Sequence, residues 1–443
     1  MIKQTLRQAL TMMKQHKLFT GIYIAATALS VTMIMTTFAV LFIKFAPIYP
    51  EGNRDRTLTI KRISTTINDQ ADGEEKNEYQ LSPKFAELIK KDSKYLDHLT
   101  CVDRGDRKIY VSATPDKKIK NNYRWGIYAD EEFWKIFTYK FVDGHPFSKE
   151  DVENGNRVAV ISQSTAMELF ATYKVAGKRV YLNGEEMTIV GVVKDATSFT
   201  PETAAKVYIP LSLCKAGLWF DNSKMKLAGR YIIYATAKEA RQRATLEKEI
   251  EEKVARYNSA NTMCKYEIAD HINNHVEQTF NNYGKDAFKN FAKEIALIVA
   301  AFLLIPAMCL GIMILSRMDN RMVEIGVRKA YGATTDSIVL QVLIENMLLT
   351  LIGGIAGLLT TIIIFYTAGG WVRFLYDSGG MLSDNIWFSS QYWTGDIDLS
   401  VIFSPSLYVT TLAVCMLINI ISALMPVMMK LRHNIVYSLN RRK

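Results

Sequence analysis

Residues 316–345 read SRMDNRMVEIGVRKAYGATTDSIVLQVLIE, a charged stretch between two long apolar runs. Glu324 and Arg328 stand four residues apart, in the order that favours an ion pair on one face of a helix. Gly332 is a typical C-terminal cap for that helix, and any of the three polar residues 334–336 can cap the helix that follows. The stretch therefore predicts a short charged helix at a turn between two apolar helices.

The hydropathy of the chain is uneven over its 443 residues. A helix that crosses a bilayer needs about 20 apolar residues, and four parts of the sequence meet that requirement. We predict transmembrane helix 1 at 18–44, a stalk with helix 2 at 283–316, helix 3 at 337–366 and helix 4 at 404–429. The predicted fold class is a membrane protein with four transmembrane α-helices plus a large α+β domain, residues 45–282, inserted between helices 1 and 2.

Basic residues concentrate on one side of these spans. Residues 1–17 and 430–443 carry basic side chains and no acidic one, and the turn 317–336 adds four basic side chains. The loop 367–403 has one arginine against four aspartates. By the positive-inside rule, both termini and the turn are cytoplasmic, whereas the large domain and this outer loop are extracytoplasmic. The same distribution accounts for the net charge of +10 without a nucleic-acid partner.

Three features of the apolar regions go beyond hydropathy. Helix 3 contains Gly353 and Gly357 at G-x-x-x-G spacing, which favours close packing with another helix. It also contains Glu345, and a carboxylate within a span is a functional hypothesis by default. The alternative is a carboxylate that a partner satisfies or that reaches the membrane interface. Residues 1–17 have helical apolar spacing, which predicts an amphipathic helix on membrane lipid, with a solvated tail as the alternative.

No nucleotide-binding or catalytic motif is present in the sequence. The phosphate-binding loop G-x-x-x-x-G-K-[ST] is absent, as are G-x-S-x-G, H-E-x-x-H and C-x-x-C. We therefore predict a non-enzyme with no catalytic residue, no metal and no directly bound cofactor, so that another chain would bind ATP and Mg²⁺. His271 and His275 have the spacing of helical zinc ligands but lack a certain third ligand. Cys101, Cys214 and Cys264 allow either one disulfide or reduced thiols.

The domain 45–282 has the composition and periodicity of an α+β fold. Ser82 followed by Pro83 predicts the capped start of a helix. Alternating apolar residues on both sides of Asn183 and Gly184 predict a hairpin with a type I′ turn.

Residues 324–333, EIGVRKAYGA, followed by Gln341 and Glu345, resemble the cytoplasmic turn of MacB/FtsX-type ABC transporter permeases. The external region is similar to the MacB-like periplasmic core domain in the segments EFWKIF (132–137), DGHPF (143–147), VAVIS (158–162), GK (177–178) and VGVVKD (190–195). The resemblance implies one span, a large domain and three further spans, as hydropathy predicts. It also implies two lobes, an α/β lobe at 45–117 and 216–282 and an inserted β-rich lobe at 118–215.

The resemblance implies a permease subunit without a fused ATPase domain. Such a subunit couples ATP hydrolysis by a separate ABC ATPase to motion of its periplasmic domain (mechanotransmission), for export or envelope remodelling. The residues implied to contact the ATPase are Glu324, Gly326, Val327, Arg328, Lys329 and Gly332. Further implied partners are a second permease chain in a homo- or heterodimer, a periplasmic adaptor and an outer-membrane channel. The implied location is the bacterial inner membrane.

Two other hypotheses stay open at this point. In the first, the chain is a signalling or scaffold protein that senses a ligand or activates a cell-wall hydrolase without transport, as in the FtsX branch of the family. Alternatively it is a membrane-anchored enzyme, which the missing motifs disfavour. Relatives in this family handle lipoproteins, peptides, macrolide-like drugs and signal lipids, so the resemblance does not select a substrate.

Overall fold

The computed structural model describes residues 17–67, 75–103, 108–115, 123–196, 200, 202–214, 225–261, 264–269, 272–274, 289–290, 292–301, 304, 327, 331–332, 334–367 and 405–431. The chain forms two compact units. One contains the long apolar helices, and the other, which includes residues 43–287, is an α+β domain.

The described helices and strands alternate within the domain and give way to long helices at both ends of the chain. The helices are α1 (Lys17–Phe45), α2 (Pro83–Lys90), α3 (Phe133–Ile136), α4 (Lys149–Glu153), α5 (Gln163–Phe170), α6 (Arg243–Ala260), α7 (Thr335–Thr367) and α8 (Pro405–Leu431). The strands are β1 (Thr57–Ile60), β2 (Ile63–Ile67), β3 (Glu75–Leu81), β4 (Leu96–Asp103), β5 (Lys108–Ser112), β6 (Tyr123–Ala129), β7 (Phe141–Gly144), β8 (Val158–Ser162), β9 (Arg179–Leu182), β10 (Glu185–Val193), β11 (Val207–Pro210), β12 (Ala228–Gly229), β13 (Ile232–Ala237), β14 (Cys264–Ile268) and β15 (Asn273–Asn274).

Two described segments are long and apolar enough to cross a membrane. They are Thr20–Phe38 in α1 and Ser337–Ile364 in α7, and Tyr408–Ile418 in α8 is a shorter apolar run. Residues 292–301 are also helical, but most of the predicted stalk and helix 2 lies outside the described residues. The same holds for residues 1–16, 368–404 and 432–443. The prediction of four spans therefore stays a prediction.

The larger sheet of the domain has eleven strands, ordered β11-β8-β10-β9-β5-β6-β4-β13-β1-β15, with β7 attached to β10. Because β11 also pairs with β6, the strands β6, β11, β8, β10, β9 and β5 close into a barrel. The strands β4, β13, β1 and β15 continue from β6 as an open sheet. A second sheet has four strands in the order β12-β3-β2-β14.

The predicted hairpin is confirmed and fixes the register of two barrel strands. Asn183 and Gly184 have φ values of +51° and +86°, which a type I′ turn requires. Leu182 and Glu185 pair directly across the turn. Asn183 is also tied to β5, since Tyr110 N donates to Asn183 Oδ1 and Asn183 N donates to Tyr110 O, each over 2.8 Å.

The predicted helix start at Ser82 is also confirmed. Ser82 Oγ accepts from Phe85 N over 3.4 Å, and Pro83 occupies the first turn, where its missing N–H costs nothing. The helix buries Phe85 and Ile89 against the sheets.

Buried side chains form one core inside the barrel and another in the part of the domain that is built from its two ends. One core draws on both ends of the domain, with Leu58 and Phe85 from the first end and Ile250 from the second. Another fills the barrel and includes Ile161. Strand β5 precedes the predicted start of the inserted lobe at 118, yet its pairing with β9 and β6 makes it a barrel strand. The chain therefore enters the barrel earlier than that boundary.

The cysteines of the domain are reduced thiols, one of the two alternatives that the sequence allows. Cys101, Cys214 and Cys264 are buried and form no disulfide with one another. Cys214 Sγ donates to Asp103 Oδ2 over 3.0 Å, and Arg230 Nε lies 3.2 Å from the same oxygen. These contacts satisfy a carboxylate that is almost fully buried.

Candidate functional site

The end of the predicted coupling helix is described at Val327, Tyr331 and Gly332. Tyr331 N donates to Val327 O over 3.1 Å, the connection of an α-helical turn. Gly332 has a φ of +89°, the left-handed conformation in which many helices end. Val327 is 43% exposed and Tyr331 is 89% exposed. Two large side chains, one helical turn apart, are therefore open to contact.

Thr334 caps the helix that follows this turn. Ser337 N donates to Thr334 Oγ1 over 3.4 Å, and Ser337 Oγ donates back to Thr334 O over 2.8 Å. Ile338 N also donates to Thr334 O, over 3.4 Å. Of the three polar residues that the sequence offers as caps, Thr334 is the N-cap of α7.

The sequence-predicted site residues fall into two groups. Val327 and Gly332 lie in the described part of the turn, and Glu345 lies in α7, although its side chain is outside the description. The other predicted ATPase contacts lie outside the described residues, namely Glu324, Gly326, Arg328 and Lys329. Their role stays a prediction.

Gly353 and Gly357 of α7 lie against α1. A Cβ atom at Gly353 would be 2.7 Å from Thr27 Cβ. A Cβ atom at Gly357 would be 2.7 Å from Ala28 O and 2.8 Å from Val31 Cβ. Approaches this short are essentially never seen for real Cβ atoms, so a side chain at either glycine would push the two helices apart. The G-x-x-x-G spacing lies at a helix–helix contact.

Buried hydroxyl groups accompany this glycine contact. Tyr23 OH lies 3.0 Å from Thr350 Oγ1 and donates to Asn346 O over 3.3 Å. Thr32 Oγ1 donates to Gly357 O over 3.1 Å. The contacts advance along both helices in the same direction, so α1 and α7 run parallel. We call these contacts, together with the two glycines, the α1–α7 seam.

The third long helix meets an adjoining face of the same glycine run. A Cβ atom at Gly354 would be 2.4 Å from Leu412 Cδ1 of α8. Cys415 of α8 is buried with Val31 and Ile34 of α1. Neighbouring glycines of α7 thus contact two different helices.

Tyr23, Asn346 and Thr350 have no counterpart among the sequence-predicted site residues. Tyr23 and Thr350 contribute hydroxyl groups, whereas Asn346 contributes only its backbone carbonyl, so the signal in the sequence is limited to polar side chains within apolar runs. That signal is ambiguous because a threonine in a span also bonds its own helix, as Thr27 Oγ1 does to Tyr23 O over 2.8 Å. Spacing alone therefore does not separate a seam from a lipid-facing side chain.

A serine–lysine contact in the domain is structural. Ser164 Oγ accepts from Lys206 Nζ over 2.7 Å and donates to Asp195 Oδ1 over 2.6 Å. Burial opposes ionisation of Asp195, but the paired Lys206 ammonium and the bonds from Ser164 hold its pKa below the ordinary value. Ser164 Oγ donates to the Asp195 carboxylate, which is itself paired with Lys206, so the three side chains bond one another as a structural cluster. Within the described residues no His, Cys, Asp and Glu side chains form a metal site, and His271 and His275 lie outside them.

Residues 20–253 match the MacB-like periplasmic core domain, and residues 296–435 match the FtsX-like permease C-terminal domain. The ABC transporter permease YknZ of Bacillus subtilis (strain 168) is 30% identical over 232 residues, which are 52% of this chain and 54% of YknZ. The macrolide export ATP-binding/permease protein MacB of Vibrio parahaemolyticus is 23% identical over 391 residues, which are 85% of this chain and 55% of MacB. The chain thus spans about half the length of each relative.

Among solved structures, the periplasmic region of MacB from Actinobacillus actinomycetemcomitans is 18% identical, with a TM-score of 0.35. The match covers 53% of this chain and 98% of that one.

The two matched domains account for most of the sequence, and the first alone covers more than half of it. The chain belongs to the family of MacB/FtsX-like ABC transporter permeases.

Proposed function

We propose that this chain is the membrane subunit of an inner-membrane ABC transporter that works by mechanotransmission. A separate ATPase docks on the turn that contains Val327 and Gly332. Its ATP-driven motion is passed through the long helices to the α+β domain, for export or envelope remodelling. The turn and both termini are cytoplasmic in this proposal, and ATP and Mg²⁺ are bound by the partner.

The observation that carries the proposal is the α1–α7 seam. Helix α7 starts at Thr335, after its N-cap Thr334 and close to the turn at Gly332, and its glycines pack tightly on α1. Helix α1 in turn leads along the chain into the domain. A push on the turn would therefore reach α1 through close-packed contacts and continue along the chain to the domain. Close packing matters because packed interiors transmit displacement with little compression.

The exposed end of the turn provides a test. Tyr331→Ala removes a side chain that is 89% exposed, so it should leave folding and membrane insertion unchanged. If the ATPase docks there, stimulation of its hydrolysis by this permease should fall by about tenfold, the effect of losing roughly 1.4 kcal/mol of docking energy. The measurement is ATPase activity after co-reconstitution of the chain with the ATP-binding subunit that co-purifies with it.

The matched control is Tyr173→Ala in the domain, where the tyrosine is 40% exposed and distant in sequence from the turn. It should stimulate hydrolysis as the unaltered chain does. Glu324→Lys and Arg328→Glu extend the test to the charged residues of the turn, and each should abolish stimulation while insertion stays intact. Normal stimulation in all three turn variants would refute docking at this site.

A further inference from the structure

The chain between α1 and β1 is built into the domain instead of forming a linker. We call residues 46–56 the exit segment. Pro50 O accepts from Thr138 N over 2.9 Å, and Tyr49 OH donates to Lys194 O over 2.8 Å. Asn53 Nδ2 donates to Ile136 O over 2.7 Å. Both the α3 region and the end of β10 therefore hold the segment.

Arg54 closes this segment on itself. Its Nε donates to Glu51 Oε2 over 2.7 Å, and its Nη1 donates to Ala46 O over 2.9 Å. The other oxygen of the carboxylate, Glu51 Oε1, accepts from Thr203 Oγ1 over 2.8 Å. The side chains of Arg54 and Glu51 are only 3% and 4% exposed. One guanidinium thus joins the residue that follows α1 to a carboxylate anchored on the domain.

Burying both charges is costly for stability. Taking an ion pair out of water often costs as much as its attraction returns, and an apolar pair of similar size is frequently as stable. What the pair does provide is a single geometry, because the planar guanidinium fixes several hydrogen bonds at once in set directions. An arrangement of this kind suits a position where alignment matters more than stability.

We propose that Arg54 is a positioning residue that fastens the end of α1 to the α+β domain. Displacement of that end then moves the domain instead of being absorbed in a flexible joint. This inference rests on the proposed mechanotransmission for its purpose, but the fastening itself is a property of the resting chain. The two are therefore tested by separate measurements.

Arg54→Lys is the informative variant. Lysine keeps the positive charge next to Glu51, but its single ammonium cannot reproduce the fork that bridges Glu51 and Ala46 O. Hydrogen exchange of the full chain in lipid nanodiscs should then rise by about tenfold at the exit segment. It should also rise at the amide of Thr138, whose N–H bonds Pro50 O. Exchange in the barrel strand β8 should stay unchanged.

The matched control is Arg62→Lys. Arg62 lies 3.1 Å from Glu78, but these side chains are 45% and 48% exposed. The same substitution of lysine for arginine should therefore leave the hydrogen exchange of every peptide unchanged. Asn53→Ala is a second variant, which loosens the segment at Ile136 O without altering a charge. If the exit segment exchanges equally in the unaltered chain and in both Arg54→Lys and Asn53→Ala, the fastening is refuted.

The functional arm adds the ATPase. In the complex of the unaltered chain, ATP should change the exchange of the domain. Arg54→Lys should reduce that change several-fold while stimulation of hydrolysis persists, because docking at the turn is untouched. Retention of the full ATP-dependent change would overturn the role of Arg54. Absence of any ATP-dependent change in the unaltered chain would instead overturn the proposed function, and the exchange of the resting chain would still test the fastening.

Discussion

Replacing Gly357 by alanine introduces a methyl group where α1 leaves no space for it. The new Cβ atom would meet Ala28 O at 2.7 Å and Val31 Cβ at 2.8 Å, whereas ordinary contact begins at 3.4 Å. Neither neighbour can rotate away, because one is backbone and the other is a Cβ atom. The helices must separate, and overpacking of this kind costs about 1–3 kcal/mol.

Cys415 provides a readout for this change. Its side chain is 5% exposed and packs with Val31, Ile34 and Met35 of α1. Alkylation of this thiol in the full chain therefore reports transient opening of the helices, and mass spectrometry separates its peptide from those of the other cysteines. A cost of about 1–3 kcal/mol should raise the labelling rate by about 5- to 150-fold.

Gly354→Ala is the control, one turn or less away in the same helix. The atom nearest its new Cβ is Leu412 Cδ1, the far end of a flexible side chain that is able to move aside. Both variants change glycine to alanine within α7, so any gain in helix propensity is common to them. Equal labelling of Cys415 in Gly357→Ala and Gly354→Ala would refute the close contact between α1 and α7.

Two further changes test a hydrogen bond of the seam and a buried acid of the domain. Tyr23→Phe removes the hydroxyl that contacts Thr350 and Asn346 O, so Cys415 labelling should rise by roughly threefold, as a loss of about 0.6 kcal/mol predicts; an unchanged rate would contradict the contact. Burial raises the pKa of Asp130 from 3.8 to about 6, against the bonds from Thr100 and the Cys101 amide. Between pH 3.8 and 6, Asp130 is therefore protonated in the folded domain and ionised in the unfolded chain. The stability of the domain should fall as pH rises from 3.8 to 6, by on the order of 2 kcal/mol. Asp130→Asn should remove that slope in chemical unfolding of the full chain in detergent, and parallel pH profiles would contradict the assignment.

Local features of the fold follow from the sequence, and long-range pairings do not. The Asn183-Gly184 turn and the Ser82 cap are predictable because the responsible side chains act on their own backbone. Closure of the barrel depends on β6 pairing in parallel with β11, from Val207↔Gly126 to Pro210↔Ala129. Nothing within either strand specifies that partner, since any buried apolar strand offers the same edge.

At the candidate site too, the sequence predicts that certain residues make a close contact but does not predict which helix they contact. Gly353 and Gly357 predict a close helix contact because only glycine leaves the backbone accessible. Which helix they meet depends on the rotation of α7, and Gly354, directly beside them, meets α8 instead. The pairing of Arg54 with Glu51 is also absent from the predictions, because a polar segment rich in charge gives no sign that two of its side chains are buried.

The pairing of β1 with β13 has a consequence for the order of folding. Thr57 lies opposite Thr236, 179 residues later, whereas the barrel strands all lie between 108 and 210. During synthesis from the N-terminus, the barrel has all its strands before the partner of β1 exists. Until β13 arrives, β1 and its apolar side chains Leu58 and Ile60 lack their main neighbour. The first strand of the domain to be made is therefore among the last to be completed, at the high loop-closure cost that slows such distant pairings.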